Sequence, residues 1–109
     1  MRLVTGLLAP FQLEPARTAL DAAGAAGMTV TRAEITGVTL RQVYRGREVP
    51  QPLPRLRIEV LADDPDVTAV VKALSVAARS GDDPHGQVWI SPVHSVRRVR
   101  TGEGGSAAL

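Results

Sequence analysis

The hydrophobic pattern predicts an α+β fold with the element order βαββαβ. Three observations carry that prediction. The apolar period changes from two residues to about 3.6 and back, twice along the chain. Each helical stretch runs into glycine, at Gly24 and at Gly81. The two βα halves are joined by a long connection, about residues 38–54, that proline breaks at Pro50, Pro52 and Pro54.

Arg2 to Leu8 alternates loosely and is rich in Leu and Val, consistent with a first strand that ends before Ala9-Pro10. From Leu13 the period lengthens. Leu13, Ala16, Leu20 and Ala23 share one helical face, while Glu14, Arg17 and Asp21 lie away from it. Gly24 and Gly27 supply the stop. Met28 to Ile35 returns to a two-residue period and carries the β-branched Thr29, Val30, Thr31 and Ile35. Beyond the connection, Arg55 to Leu61 alternates again, with Leu56, Ile58 and Val60 on one face and Arg57 and Glu59 on the other.

Asp64 then reads as an N-cap, with Pro65 at the first helical position. Val67, Val70, Val71, Leu74, Ala77 and Ala78 form the buried stripe of a second helix. Ser80-Gly81 ends it, and SGDDPHG is a polar turn. Gln87 to Ile90 is a short strand, and Val93 to Arg100 offers another. Residues 101–109, TGEGGSAAL, read as a tail with little reason to order alone.

Two βα units joined in this way make the split βαβ, ferredoxin-like sandwich, a single domain of 109 residues with both helices on one sheet face. The other face needs shielding. A chain of this size buries only about two-thirds of its unfolded surface, so an oligomer with sheets packed inward is expected.

Composition removes several classes of function. The chain has no cysteine, which excludes disulfides and thiolate metal sites. His85 and His94 are its only histidines, too isolated for a metal site. No Ser-His-Asp spacing, paired catalytic carboxylates or P-loop is present, so no catalytic residue is assigned and an enzyme is not expected. Asp63, Asp64 and Asp66 are explained as helix caps. The net charge of +2 is small and its arginines are dispersed, which argues against nucleic acid as a partner. No apolar run approaches the roughly 18 residues of a membrane span. Pro10 interrupts the N-terminal apolar run and no small-residue cleavage site follows, so a cytoplasmic protein without membrane insertion is expected. The 38–54 connection carries Gly46, several arginines and the only tyrosine, Tyr44. At this length in a small domain, it is either disordered or functional.

The opening MRLVTGLLAPFQLEPARTAL, GMTVT at 27–31, VYRG at 43–46, LPRLRIEV at 53–60 and RRVRTGEGGSAAL at 97–109 resemble, in order and from end to end, the PII nitrogen-regulatory signal proteins. The resemblance implies a homotrimer of ferredoxin-like subunits with adenine nucleotide (ATP, ADP or AMP) in the clefts between them. It also implies that residues 38–54 form a T-loop that reaches a target such as a transporter or metabolic enzyme, and that 80–87 form the B-loop.

Arg98 and Arg100 match the family's phosphate-holding arginines. Residues two apart on a strand point the same way, and two guanidinium forks on one face suit a polyphosphate. Without the resemblance, the same pair reads as a basic edge strand that discourages aggregation. Thr29 matches an adenine contact, and Leu7 and Leu61 match the apolar positions flanking the base; each is also an ordinary strand residue. Gly37, with Val38 after it, matches the base of the T-loop, where backbone approaches ligand. Gly86 and Gln87 complete the implied nucleotide set.

Departures from the family pattern alter the expectation. Pro84 lacks an N–H that phosphate would use, Gln87 replaces a lysine, and Asp82 and Asp83 add negative charge. Together these should weaken a triphosphate more than a mono- or diphosphate. Tyr44-Arg45-Gly46-Arg47-Glu48-Val49 keeps only the first tyrosine of the modification motif, and Val49 excludes uridylylation at the usual site. Tyr44, Arg45 and Arg47 are the implied partner contacts. Val38-Thr39 stands where the family has the glutamine that helps hold Mg²⁺ and 2-oxoglutarate. Arg55 replaces the lysine that pairs with a 2-oxoglutarate carboxylate. Thr39 and Arg55 are retained as carboxylate candidates, but ATP–Mg–2-oxoglutarate sensing in its family form is not expected. His85 is either a contact for phosphate or bicarbonate or a solvated turn residue, and Trp89 belongs to the core or a subunit interface.

The function so implied is non-enzymatic signal transduction in nitrogen regulation. The alternatives are a PII-like sensor of ADP/AMP, cyclic nucleotide or bicarbonate tied to carbon or anion transport, or a structural trimer with a decayed site.

Overall fold

The computed structural model describes residues 1–37 and 41–109. In chain order, β1 (Arg2–Leu8) leads to α1 (Leu13–Ala22), β2 (Thr29–Ile35), β3 (Arg41–Tyr44), β4 (Arg47–Pro50), β5 (Leu53–Ala62), α2 (Val67–Ala78) and β6 (Gln87–Pro92). Four strands form one sheet in the order β2-β5-β1-β6, with every neighbouring pair antiparallel. With its two helices, this is the predicted ferredoxin-like sandwich. The strands β3 and β4 make a separate two-stranded ribbon.

Register decides which residues face the helices. Val4 stands opposite both Val60 and Ile90, and Gly6 stands opposite Ile58. Val4, Leu8, Ile58, Val60 and Ala62 therefore line one face and pack against Ala16, Leu20, Val70, Ala73, Leu74 and Ala77 of the helices. The α2 stripe is centred slightly differently from the sequence pattern. Ala73 is buried, whereas Val67, Val71 and Ala78 are only partly so.

The opposite face carries Leu3, Thr5 and Leu7 of β1 beside Arg57, Glu59 and Leu61 of β5. Thr29 pairs with Glu59, and Trp89 with Thr5. The Arg57 guanidinium lies 5.9 Å from the Trp89 ring centre and 3.5 Å from the Glu59 carboxylate. Among the described residues, no helix covers this mixed face.

Gln12 couples the start of α1 to the end of α2. It is fully buried, and its Oε1 accepts the Ala9 N–H at 2.8 Å. Its Nε2 donates to the carbonyls of Ala78 at 3.2 Å and Ser80 at 2.8 Å. The exit of α2 is thus fixed from two sides, because Gly81 turns the chain with φ +75° where an added Cβ would lie 3.0 Å from the Phe11 ring.

Five expectations change. The connection is not loop throughout: β3 and β4 pair across a two-residue turn, Arg45-Gly46, whose φ values of 53° and 78° are both positive, as a type I′ hairpin turn demands. β5 also begins earlier than expected, at Leu53. Val93 to Arg100 does not form a strand. The Val93 N–H donates to the Met1 carbonyl at 3.4 Å, and among the described residues no strand pairs with the stretch that follows. The chain instead turns, with the Arg98 N–H donating to the Glu103 carbonyl and the Gly102 N–H to the Arg98 carbonyl, both at 2.8 Å.

The 101–109 segment folds back rather than trailing away, because Ser106 Oγ donates to Asp63 Oδ1 at 2.8 Å and the Gly105 N–H donates to the Val96 carbonyl at 3.2 Å. Finally, Asp64 is not an N-cap. It lies in a short 3-10 turn, Asp64–Asp66, and makes no side-chain cap bond. Its carboxylate accepts from the Met1 ammonium at 2.6 Å, with the Arg2 guanidinium at 3.8 Å. The hydrogen bond and charge of that ammonium hold the Asp64 carboxyl below the usual carboxylate range.

Candidate functional site

Two clefts lie at opposite ends of β1. The first, about 460 Å³, has Leu3, Met28, Thr29, Glu59 and Leu61 in its lining, with Ala108 and Leu109 at its rim. The antiparallel pairing of Thr29 with Glu59 and of Leu3 with Leu61 brings these side chains to one surface. Leu3, Met28 and Leu61 offer an apolar wall for a flat ring, and Thr29 and Glu59 offer polar edges. Arg98 approaches this end through the 105–109 turn, where its Nη2 donates to the Leu109 carbonyl at 3.0 Å.

The second cleft, about 470 Å³, has Leu7, Thr36, His85, Gly86 and Gln87 in its lining. The backbone N–H of Gly86 and the side-chain amide of Gln87 give it donors, and among the described residues no lysine or arginine is in the lining. Leu3 and Leu7 are four residue steps apart on β1, or about 13 Å at strand rise.

The predicted nucleotide residues are thereby divided. Thr29 and Leu61 meet at the first cleft, near Arg98, while Leu7, Gly86 and Gln87 meet at the second. Gly37 lies two residues beyond β2 with open space where a Cβ would be. Val38 and Thr39 lie outside the described residues. Arg100 is exposed in the 99–101 turn and shares no strand with Arg98, so the alternation expected to align their guanidinium groups does not operate. Tyr44, Arg45 and Arg47 are exposed at the tip of the β3–β4 ribbon, with the Arg45 guanidinium 5.3 Å from the Tyr44 ring centre.

Arg55 has a partner that its position in the sequence does not suggest. Its Nη2 meets Asp83 Oδ1 at 2.7 Å, and both side chains are buried, 8% and 6% exposed. Nη1 donates to the Pro54 carbonyl at 2.8 Å, and the His85 N–H donates to the same Asp83 oxygen at 3.2 Å. Arg55 Nε and Asp83 Oδ2 find no partner among the described residues. The carboxylate that Arg55 holds therefore comes from the chain itself, and one of the two acids in the 80–87 loop is charge-compensated.

Sequence reasoning missed Asp83 as a partner, Gln12 as a staple, Glu59 as a cleft residue and Ala108-Leu109 as a cleft rim. The alternation in β5 places Glu59 on the open face, which was a usable signal. The other three depend on contacts far apart in sequence. Among the described residues, no cluster of His, Cys, Asp or Glu is able to hold a metal ion, and no helix is long and apolar enough to cross a membrane.

Comparison with known proteins agrees with this architecture. The family model described as nitrogen regulatory protein P-II matches residues 1–103. A nitrogen regulatory protein P-II of Synechocystis is 40% identical over 112 aligned positions that cover the whole of both chains. P-II 2 of Methanothermobacter thermautotrophicus is 38% identical, covering all of this chain and 97% of its own. The P-II protein of Azospirillum brasilense is 36% identical over the full length of both. By its fold, and by similarity across its whole length, the chain belongs to the nitrogen regulatory protein P-II family.

Proposed function

We propose that this chain is a non-enzymatic P-II signal protein that works as a cytoplasmic homotrimer. It binds an adenine nucleotide between subunits and transmits occupancy to a target enzyme or transporter through the 38–54 segment. The observation that carries the proposal is the division of the nucleotide residues between the two ends of β1. Thr29, Leu61 and Arg98 belong to one half-site, and Leu7, Gly86 and Gln87 to the other. A rotationally symmetric assembly brings one subunit's first half against its neighbour's second half, which also buries the mixed sheet face that no helix covers. The base enters against Leu61 and Thr29, and the phosphates meet Arg98, the Gly86 N–H and the Gln87 amide.

Occupancy changes the target's fit only through a different affinity of the ligand for two arrangements of the 38–54 segment. The exposed Tyr44, Arg45 and Arg47 at the ribbon tip are the contacts offered to the target. Arg55 stands at the family's 2-oxoglutarate lysine position but serves Asp83, so neither a 2-oxoglutarate site nor its Mg²⁺ enters this reading, and Thr39 is given no role. A second reading, a sensor of ADP or AMP, is favoured by the second cleft, whose described lining has no lysine or arginine to balance a γ-phosphate; the Arg55–Asp83 pairing lessens the acidity of the loop. Only Asp82 is then left as uncompensated acid in the loop.

Isothermal titration of the intact protein with ATP, ADP and AMP tests the proposal, alongside light scattering for subunit number. Arg98→Ala should weaken nucleotide binding by about tenfold to a hundredfold, the range for a lost charge-assisted hydrogen bond. A monomer, or a trimer that binds none of the three nucleotides, would overturn it. Tightest binding of ATP would refute the second reading alone.

A further inference from the structure

We propose that residues 105–109 are an intramolecular cover for the first cleft, and that nucleotide enters only when this segment leaves. The inference rests on the nucleotide site proposed above and adds a regulatory element to it.

Residues 101–107 are all exposed, but Ala108 and Leu109 are half-buried, and both line the cavity with Thr29 and Leu61. At the same time, Leu109 occupies the cation of that half-site, its carbonyl accepting from Arg98 Nη2 at 3.0 Å. The segment therefore engages both features a nucleotide needs, an apolar wall for the base and a guanidinium for the phosphate. The Arg98 Nη2 donor that serves the Leu109 carbonyl is withheld from an incoming phosphate while the segment is seated.

The seat is built to release. Its anchors are the Ser106–Asp63 bond at 2.8 Å, the Arg98–Leu109 bond, and the Gly105 N–H to Val96 carbonyl at 3.2 Å, and the two side-chain bonds lie in solvent. Positive φ at Gly102 (74°) and Gly105 (64°) puts a conformationally permissive residue on either side of the Gly104 bridge to Arg97. Exposed hydrogen bonds exchange with water at little net loss, so segments held by them open readily. If only a fraction of molecules is open, the apparent Kd exceeds the intrinsic one by the reciprocal of that fraction. Weakening the cover without touching the cleft therefore tightens binding, and locking it abolishes binding.

The chain has no cysteine, so a pair introduced by Asp63→Cys and Ser106→Cys has no other thiol of the same subunit to react with, and non-reducing electrophoresis separates the intramolecular disulfide from any cross-link between subunits. The side-chain oxygens they replace are 2.8 Å apart. Titration with AMP and ADP should show no binding to the oxidised pair and wild-type or tighter binding after reduction. Independently, Ser106→Ala should lower Kd by about threefold to tenfold, chiefly through faster association. Equal affinity of oxidised and reduced forms overturns the cover. So does a Ser106→Ala protein whose affinity is unchanged or weaker, the latter meaning that the segment is a wall of the site. If wild type binds nucleotide and Arg98→Ala binds it more weakly, such a result removes the cover and leaves the site. If wild type binds no nucleotide, the site itself is removed.

Discussion

Replacing Asp83 by alanine would strand the Arg55 guanidinium in the interior. The Arg55 side chain is 8% exposed and that of Asp83 6%, with 2.7 Å between Nη2 and Oδ1, so each charge relies on the other for compensation. The Pro54 carbonyl would remain as the only protein acceptor for Arg55 among the described residues. Removing one member of a buried pair leaves an uncompensated charge, at a cost of about 3–5 kcal/mol. The net worth of the intact pair is much smaller. Both charges are desolvated, and Arg55 Nε and Asp83 Oδ2 have no partner among the described residues.

The double replacement Arg55→Met with Asp83→Leu should therefore stay within about 1 kcal/mol of wild type, although Asp83→Ala alone is severe. The double-mutant cycle then returns a large coupling energy. Urea titration at fixed subunit concentration is the assay, because assembly makes the midpoint concentration-dependent. In a thermal scan, each kcal/mol should lower the midpoint by about 4–8 °C for a domain of this size. Hydrogen exchange at the His85 amide, which donates to Asp83 at 3.2 Å, should rise in the single variant. A loss below about 1 kcal/mol for Asp83→Ala, or a double variant no better than the worse single one, would refute the reasoning.

Two further outcomes follow from buried and terminal contacts. Gln12→Leu deprives the Ala9 N–H and the Ala78 and Ser80 carbonyls of their partner, and should lower unfolding free energy by about 2–4 kcal/mol in urea; a variant as stable as wild type would show that those groups reach water. Asp64, held below its usual range by the Met1 ammonium, contributes stability that is present above the unfolded carboxyl pKa and lost as pH falls through the lowered folded one. The urea-midpoint difference between wild type and Asp64→Asn should then be constant near neutrality and close below about pH 4, whereas a difference that persists at lower pH would exclude the ion pair as its source.

Much of the frame is legible from local pattern. The two-residue period over Arg2–Leu8 marks β1 to the residue, and the Leu13, Ala16, Leu20 spacing marks α1. The turn residues were less readable. Arg45 adopts positive φ beside Gly46, and a proline-broken stretch read as loop contains a paired ribbon. Val93 to Arg100 has a β-like composition, yet among the described residues no strand pairs with it, and a strand is completed by a neighbour rather than by its own sequence.

The 38–54 connection, the RxR spacing at Arg98 and Arg100 and the loss of the modification tyrosine at Val49 could all be read from residue order alone. So could the family, because similarity accumulates along the chain whatever the contacts are. Tertiary structure alone decided what those residues touch. Register placed Thr29 beside Glu59 and Leu3 beside Leu61, folding gave Arg55 an acid 28 residues away, and the return of the chain after Gly102 put Leu109 on Arg98. Pattern reports which face a residue occupies, since that depends on near neighbours and period. The partner across the interior depends on how separate elements pack, and only the assembled chain contains that information.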